Sequence, residues 1–90
     1  MFFVYILYSQ KDGRLYIGYS ADLDERLKRH RVGEVPATKD RRPFLLIGYE
    51  AFFKESDAKR RERFLKGGKG REQLKVQYQD VFDELNYRFR

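Results

Sequence analysis

The chain has 90 residues, 41% apolar and 17% aromatic, which is enough for one compact domain with a small core rich in Phe and Tyr. Lys and Arg number 20 against 14 Asp and Glu, a net charge of +6, so an anionic partner is expected, nucleic acid first. The absence of cysteine excludes disulfides and thiolate-bound zinc and suits a reducing cytoplasm; no apolar run reaches membrane-spanning length, and MFFVYILYS lacks the basic region and cleavage site of a signal peptide.

In chain order, FFVYILY (residues 2 to 8) is a β-branched and aromatic run that predicts a strand. Asp12-Gly13 is a hairpin signal, and LYIGY from Leu15 predicts the second strand. A two-residue turn at Asp12 and Gly13 sets Lys11 opposite Arg14, so odd residues of the first strand face even residues of the second. Tyr5, Tyr16 and Gly18 then share one sheet face, provided that no bulge intervenes. Asp22, with Glu25 three positions on, predicts a capped helix to about Arg31. Residues 32 to 43 predict a loop broken by Gly33, Pro36 and Pro43, and FLLIGYEAF predicts the third strand. A second helix is expected from Ser56 and Asp57 to a stop at Gly67-Gly68, and a short third over GREQLKVQY. In QDVFDELNYRFR, Val81, Phe82, Leu85 and Phe89 are nearly helical in spacing.

Two of these helices break their own apolar stripe. In the first, Leu23, Leu27 and His30 fall at i, i+4 and i+7, with Arg26 at the edge of the stripe. In the second, Ala58, Glu62 and Leu65 repeat the pattern, which turns a carboxylate inward. An inward carboxylate is costly unless paired, hydrogen-bonded or bound to a cation. A structural reading gives Glu62 an arginine partner, Arg26 among the candidates. A chemical reading sets Tyr5 and Tyr16 on one sheet face, with Arg26, His30 and Glu62 from helices that cover it. That set suits phosphodiester hydrolysis. A carboxylate holds a divalent cation, an arginine clamps the phosphate, and a tyrosine or histidine relays a proton. With one metal-ligand carboxylate standing out, a single-metal scheme is favoured.

VYI at residues 4 to 6 and YIG at 16 to 18, followed by DLDERLKRH and a later glutamate within AKRRERFLKGGKGRE, resemble the GIY-YIG nuclease superfamily. The likeness covers about residues 2 to 75 and is greatest to small stand-alone bacterial members. It implies a fold class of α/β (α+β type): a single domain whose three-stranded antiparallel sheet is flanked by helices, in the order β-β-α-β-α-α. Residues 1–77 would form the nuclease domain and 78–90 a helical tail packed on it or extending it. The resemblance implies catalytic roles for Tyr5, Tyr16, Arg26 and His30, with Glu62 the sole protein ligand of one Mg²⁺ or Mn²⁺, and Gly18 admitting close backbone approach. It implies no other cofactor. Val4 replaces the first glycine of the motif. Where many members carry an asparagine about a dozen residues past the glutamate, this chain has REQLKVQ, with Gln73 or Gln77 as substitutes.

Between residues 59 and 71 stand seven basic residues, including Arg60, Arg63, Lys66, Lys69 and Arg71, against Glu62 alone. Lys39, Arg41 and Arg42 form a second cluster before the third strand. Both read as surfaces for a nucleic-acid backbone, binding in a salt-sensitive and largely sequence-independent way. The expected function is a divalent-metal-dependent endonuclease acting on DNA, with RNA left open. It would be selective for structure or strandedness, work in DNA repair or processing, and act as a monomer or homodimer without membrane attachment. The alternative is a nucleic-acid-binding module of the same fold that is weak or inactive in catalysis. A third reading docks the aromatic tail on a partner.

Overall fold

The computed structural model describes residues 1–87. Three strands, β1 (Phe2–Ser9), β2 (Leu15–Ser20) and β3 (Phe44–Phe52), form one antiparallel sheet in the order β2-β1-β3. Four helices complete the fold: α1 (Leu23–Arg31), α2 (Glu55–Leu65), α3 (Gly68–Gln77) and α4 (Gln79–Leu85). Among the described residues the order is therefore β-β-α-β-α-α-α, an α+β fold of the expected class with α4 added. Phe89 of the tail lies outside the described residues.

The β1–β2 hairpin corrects the expected turn. Tyr5 pairs with Gly18 and Leu7 with Tyr16, and the Ser9 amide donates to the Arg14 carbonyl at 2.9 Å. The loop thus holds four residues, Gln10 to Gly13, and Lys11 does not oppose Arg14. The cause is local. Ser9 Oγ accepts from the Lys11 and Asp12 amides at 3.2 and 3.1 Å, and Gly13 takes a positive φ of 70°. The register moves by two residues, an even number, so every side chain keeps its predicted face. On the other flank Ile47 is an extra residue between the pairs Ile6–Gly48 and Leu7–Leu46.

The two sheet faces do different jobs. Val4, Ile6 and Ile17 point to one side, where Ala58 and Leu65 of α2, Leu74 of α3 and Phe82 of α4 complete the core. Leu65 and Leu74 are 1% exposed, and each such burial contributes about 1.5–3 kcal/mol. Tyr5, Leu7, Tyr16 and Gly18 point to the opposite side, which α1 and the loop before β3 cover through His30 and Thr38. α1 is capped as expected, with the Asp22 carboxylate accepting from the Glu25 amide at 3.2 Å. The second helix starts one residue before Ser56, and its cap residue Lys54 makes no side-chain capping bond.

Candidate active site

Tyr5, in the central strand, is wholly buried, and its ring lies across the backbone of Gly18 on β2. A methyl group at Gly18 would collide with the phenol, coming within 2.7 Å of Cε2. The ring therefore occupies space that only glycine leaves open. Tyr16, two residues along the same face, sets its ring centroid 6.4 Å from that of Tyr5.

α1 brings the other two polar groups. His30 is 2% exposed and seats its ring edge-on against both tyrosines, with centroids 5.5 and 5.3 Å away. Its Nε2 lies 2.7 Å from Tyr5 Oη and its Nδ1 lies 2.7 Å from Thr38 Oγ1. One turn earlier, Arg26 sets its guanidinium against the Tyr5 and Tyr16 hydroxyls, which hold its proton more firmly than usual. Burial raises the Tyr5 pKa, opposed by Arg26, while burial and then the Arg26 charge lower that of His30. Arg26 Nε is buried with no hydrogen-bond partner, the sole such side-chain atom among the described residues. An unpaired buried donor on a cation is expensive and marks where an anionic oxygen would be welcome.

Glu62 arrives differently from the expectation that its helix covers the tyrosine face. α2 packs on the opposite face, through Ala58 and Leu65. The Glu62 carboxylate nevertheless acts electrostatically on both Tyr5 and Tyr19, whose side chains leave β1 and β2 on opposite sides. That places it at the margin of the sheet, beside edge strand β2. Among the described residues the ion pair of Glu62 is not with an arginine, as the structural reading had it, but with Lys66: Glu62 Oε2 lies 3.1 Å from Lys66 Nζ, one turn on along the same helix. The Glu62 side chain is 21% exposed, so it keeps access to solvent. One carboxylate, with water and substrate oxygens, is a donor set that suits Mg²⁺ or Mn²⁺, so the residues fit a single hard cation held by Glu62.

Residues 1–75 match the model of the GIY-YIG catalytic domain. The chain belongs to the GIY-YIG family. It is similar to a UPF0213 protein of Staphylococcus haemolyticus, 37% identical over 75 residues, which are 82% of this chain and 90% of that one. A UPF0213 protein of Halalkalibacterium halodurans is 43% identical over 61 residues, 67% of this chain and 64% of the relative. The solution NMR structure of the UPF0213 protein BH0048 from Bacillus halodurans shares the fold at a TM-score of 0.51 and 40% identity, covering 82% of each chain. Membership in this nuclease family implies an endonuclease and a nucleic-acid substrate.

In this GIY-YIG chain the two glutamines that stand where many members carry an asparagine share one partner. Both side-chain oxygens accept from the Arg61 guanidinium, Gln77 at 3.0 Å and Gln73 closer still, and Arg61 also pairs with Glu50 of β3 at 2.8 Å. That network ties α2 and α3 to the β3 edge, across the sheet from β2.

The basic residues divide by what they touch. Arg41 is committed to Asp12 at 2.6 Å and to the face of Phe44, which fastens the pre-β3 loop to the hairpin. Arg42 donates to the carbonyls of Lys39 and Arg31 and leaves its charge at the surface beside Lys39. Arg60 pairs with Asp57 and Lys66 with Glu62. Arg63, Lys69 and Arg71 are exposed and form no ion pair among the described residues. Nothing in the sequence marks Thr38, since a lone threonine in a loop of Gly and Pro carries no periodic signal.

Proposed function

We propose that this chain is a metal-dependent endonuclease that hydrolyses phosphodiester bonds in DNA, at a site formed by Tyr5, Tyr16, Arg26, His30 and Glu62. The observation that carries the reading is the unpaired Nε of Arg26, buried beside two tyrosine hydroxyls. A phosphate oxygen satisfies that donor, and the guanidinium then opposes the charge that grows on the phosphate in the transition state. The tyrosine hydroxyls border the same point and would orient an attacking water; a phenol that passes its own hydrogen to a phosphate oxygen would then take the proton of the water. Glu62 would hold Mg²⁺ or Mn²⁺, which when bound polarises the phosphate and the leaving oxygen.

Arg63, Lys69 and Arg71, with Lys39 and Arg42 on the other side, supply backbone contacts without base readout. Selectivity would then be for structure or strandedness, in a repair or processing role within a reducing cytoplasm. Residues 1–77 would carry the activity, with α4 a packed extension through Phe82.

The test is one panel: single-stranded, duplex, nicked and branched DNA and RNA, each with Mg²⁺, Mn²⁺ or EDTA, for the wild type and Glu62→Gln. Metal-dependent cutting that Glu62→Gln abolishes, with DNA binding kept, supports the proposal. Binding to every substrate without cleavage by the wild type would overturn it in favour of a binding module.

A further inference from the structure

The polar chain that begins at Tyr5 does not end at His30. Thr38 is wholly buried, and its hydroxyl lies 2.7 Å from His30 Nδ1. A threonine hydroxyl has one hydrogen to give. Two acceptors lie near it: His30 Nδ1 at 2.7 Å and the Val35 carbonyl at 3.4 Å. The longer separation exceeds the ordinary O–H···O range of about 2.5–3.0 Å. The Val35 oxygen is moreover occupied, because the amides of Thr38 and Lys39 both donate to it at 3.0 Å. A carbonyl oxygen has two lone pairs, and both are used. The hydroxyl hydrogen is therefore directed at Nδ1.

A neutral imidazole carries a single N–H. With Nδ1 accepting from Thr38, that hydrogen sits on Nε2 and is donated to Tyr5 Oη at 2.7 Å. We propose that Thr38 is a positioning residue that fixes His30 as the Nε2–H tautomer, which makes His30 a donor to Tyr5 rather than the acceptor of its proton. The neighbours support this. Burial and the nearby Arg26 charge keep His30 neutral, so the ring has a tautomer to fix. Tyr5 Oη then lies between the His30 N–H and the Arg26 guanidinium, two groups that favour negative charge on the phenol oxygen against its burial. In the opposite tautomer the Tyr5 hydrogen would be tied to His30 and turned away from a substrate. The effect on rate rests on the nuclease reading; the tautomer does not.

His30 is the chain's one histidine, so nitrogen-detected NMR of its ring at neutral pH gives an unambiguous pair of resonances. The wild type and Thr38→Ser should both show a protonated Nε2 and a bare Nδ1, while Thr38→Val should show the two forms averaged. By analogy with other histidine-orienting partners, kcat of Thr38→Val should fall about tenfold to a hundredfold, with KM unchanged and Thr38→Ser restoring most of the loss. A protonated Nδ1 in the wild type would overturn the proposal, as would a tautomer unmoved in a folded Thr38→Val. Where Thr38→Val fails to fold, Thr38→Cys, a weaker donor, takes its place. Should no variant cut DNA, the nuclease reading fails while the NMR spectrum still decides the tautomer.

Discussion

Replacing Gly18 by alanine places a methyl group inside the phenol of Tyr5, within 2.7 Å of Cε2 and nearer still to Cζ and Oη. Tyr5 cannot swing aside, because it is wholly buried with Tyr16 and His30 packed against its ring. Overpacking of this kind costs about 1–3 kcal/mol, and the better strand behaviour of alanine returns about 0.5–1 kcal/mol. With the middle of each range the net loss is about 1.3 kcal/mol, and a domain of this size melts about 4–8 °C lower for each kcal/mol. The expected Tm drop is thus on the order of 5–10 °C, read by calorimetry. Cleavage, measured well below Tm, should fall further than stability does, by about a hundredfold, since a displacement near 1 Å at a catalytic group costs that much. Gly48→Ala is the matched control. Its methyl group meets the Tyr78 ring, 2.8 Å from Oη, on the opposite sheet face where the ring is only half-buried. It should lower Tm while leaving the cleavage rate below Tm unchanged. Equal rate losses in the two variants, or a Gly18→Ala variant as stable and active as the wild type, would refute the link between Tyr5 placement and chemistry.

Arg26→Ala should reduce kcat about a hundredfold to a thousandfold, as loss of a transition-state donor does, and Arg26→Lys should not restore it because lysine has no equivalent of Nε; near-normal turnover in either would remove Arg26 from the phosphate. Neutralising Arg63, Lys69 and Arg71 together should make the slope of log K against log salt shallower by up to about 0.9 for each duplex DNA phosphate that the variant no longer neutralises, measured by fluorescence anisotropy in EDTA. The Arg41 guanidinium, with help from the Arg14 amide, holds the Asp12 carboxyl down at about 2. A depressed acid stabilises the fold above its unfolded-state pKa, and the effect is lost as pH falls through the folded one. The Tm advantage of the wild type over Asp12→Asn should therefore be full above about pH 5, shrink as pH falls below about 4 and vanish only at about pH 1, below the folded-state value of about 2; an advantage undiminished at pH 2 would contradict the pairing.

The sheet was legible because each strand announces itself by residue type: β-branched and aromatic side chains from Phe2, and nine strand residues from Phe44 to Phe52 with a loop on each side. The face shared by Tyr5, Tyr16 and Gly18 was legible too, even though the turn was not. Ser9 lengthens the loop by supplying acceptors to two amides, and no spacing rule registers a side chain that substitutes for a backbone partner. Parity survived because the added residues come in a pair. On α1, the stripe of Leu23, Leu27 and His30 correctly turned the histidine inward. Thr38 stayed hidden because its importance lies in a contact with His30 that only the folded loop creates.

Glu62 shows the limit of helical periodicity most clearly. The stripe of Ala58, Glu62 and Leu65 says that these residues share a side of α2, and it cannot say which sheet face that side meets. The topology decides. β2 and β3 flank β1 and run in the same direction, so the chain must cross β1 between them, and α1 and its loop make that crossing on the tyrosine face. With that face taken, α2 follows β3 onto the other, where Ala58 and Leu65 join Val4 and Ile6. Glu62 can then meet the tyrosines only at the edge of the sheet, next to Tyr19 and within reach of solvent. A carboxylate buried under the sheet would need a permanent counter-charge. At the edge it needs only Lys66, a surface partner that holds it weakly.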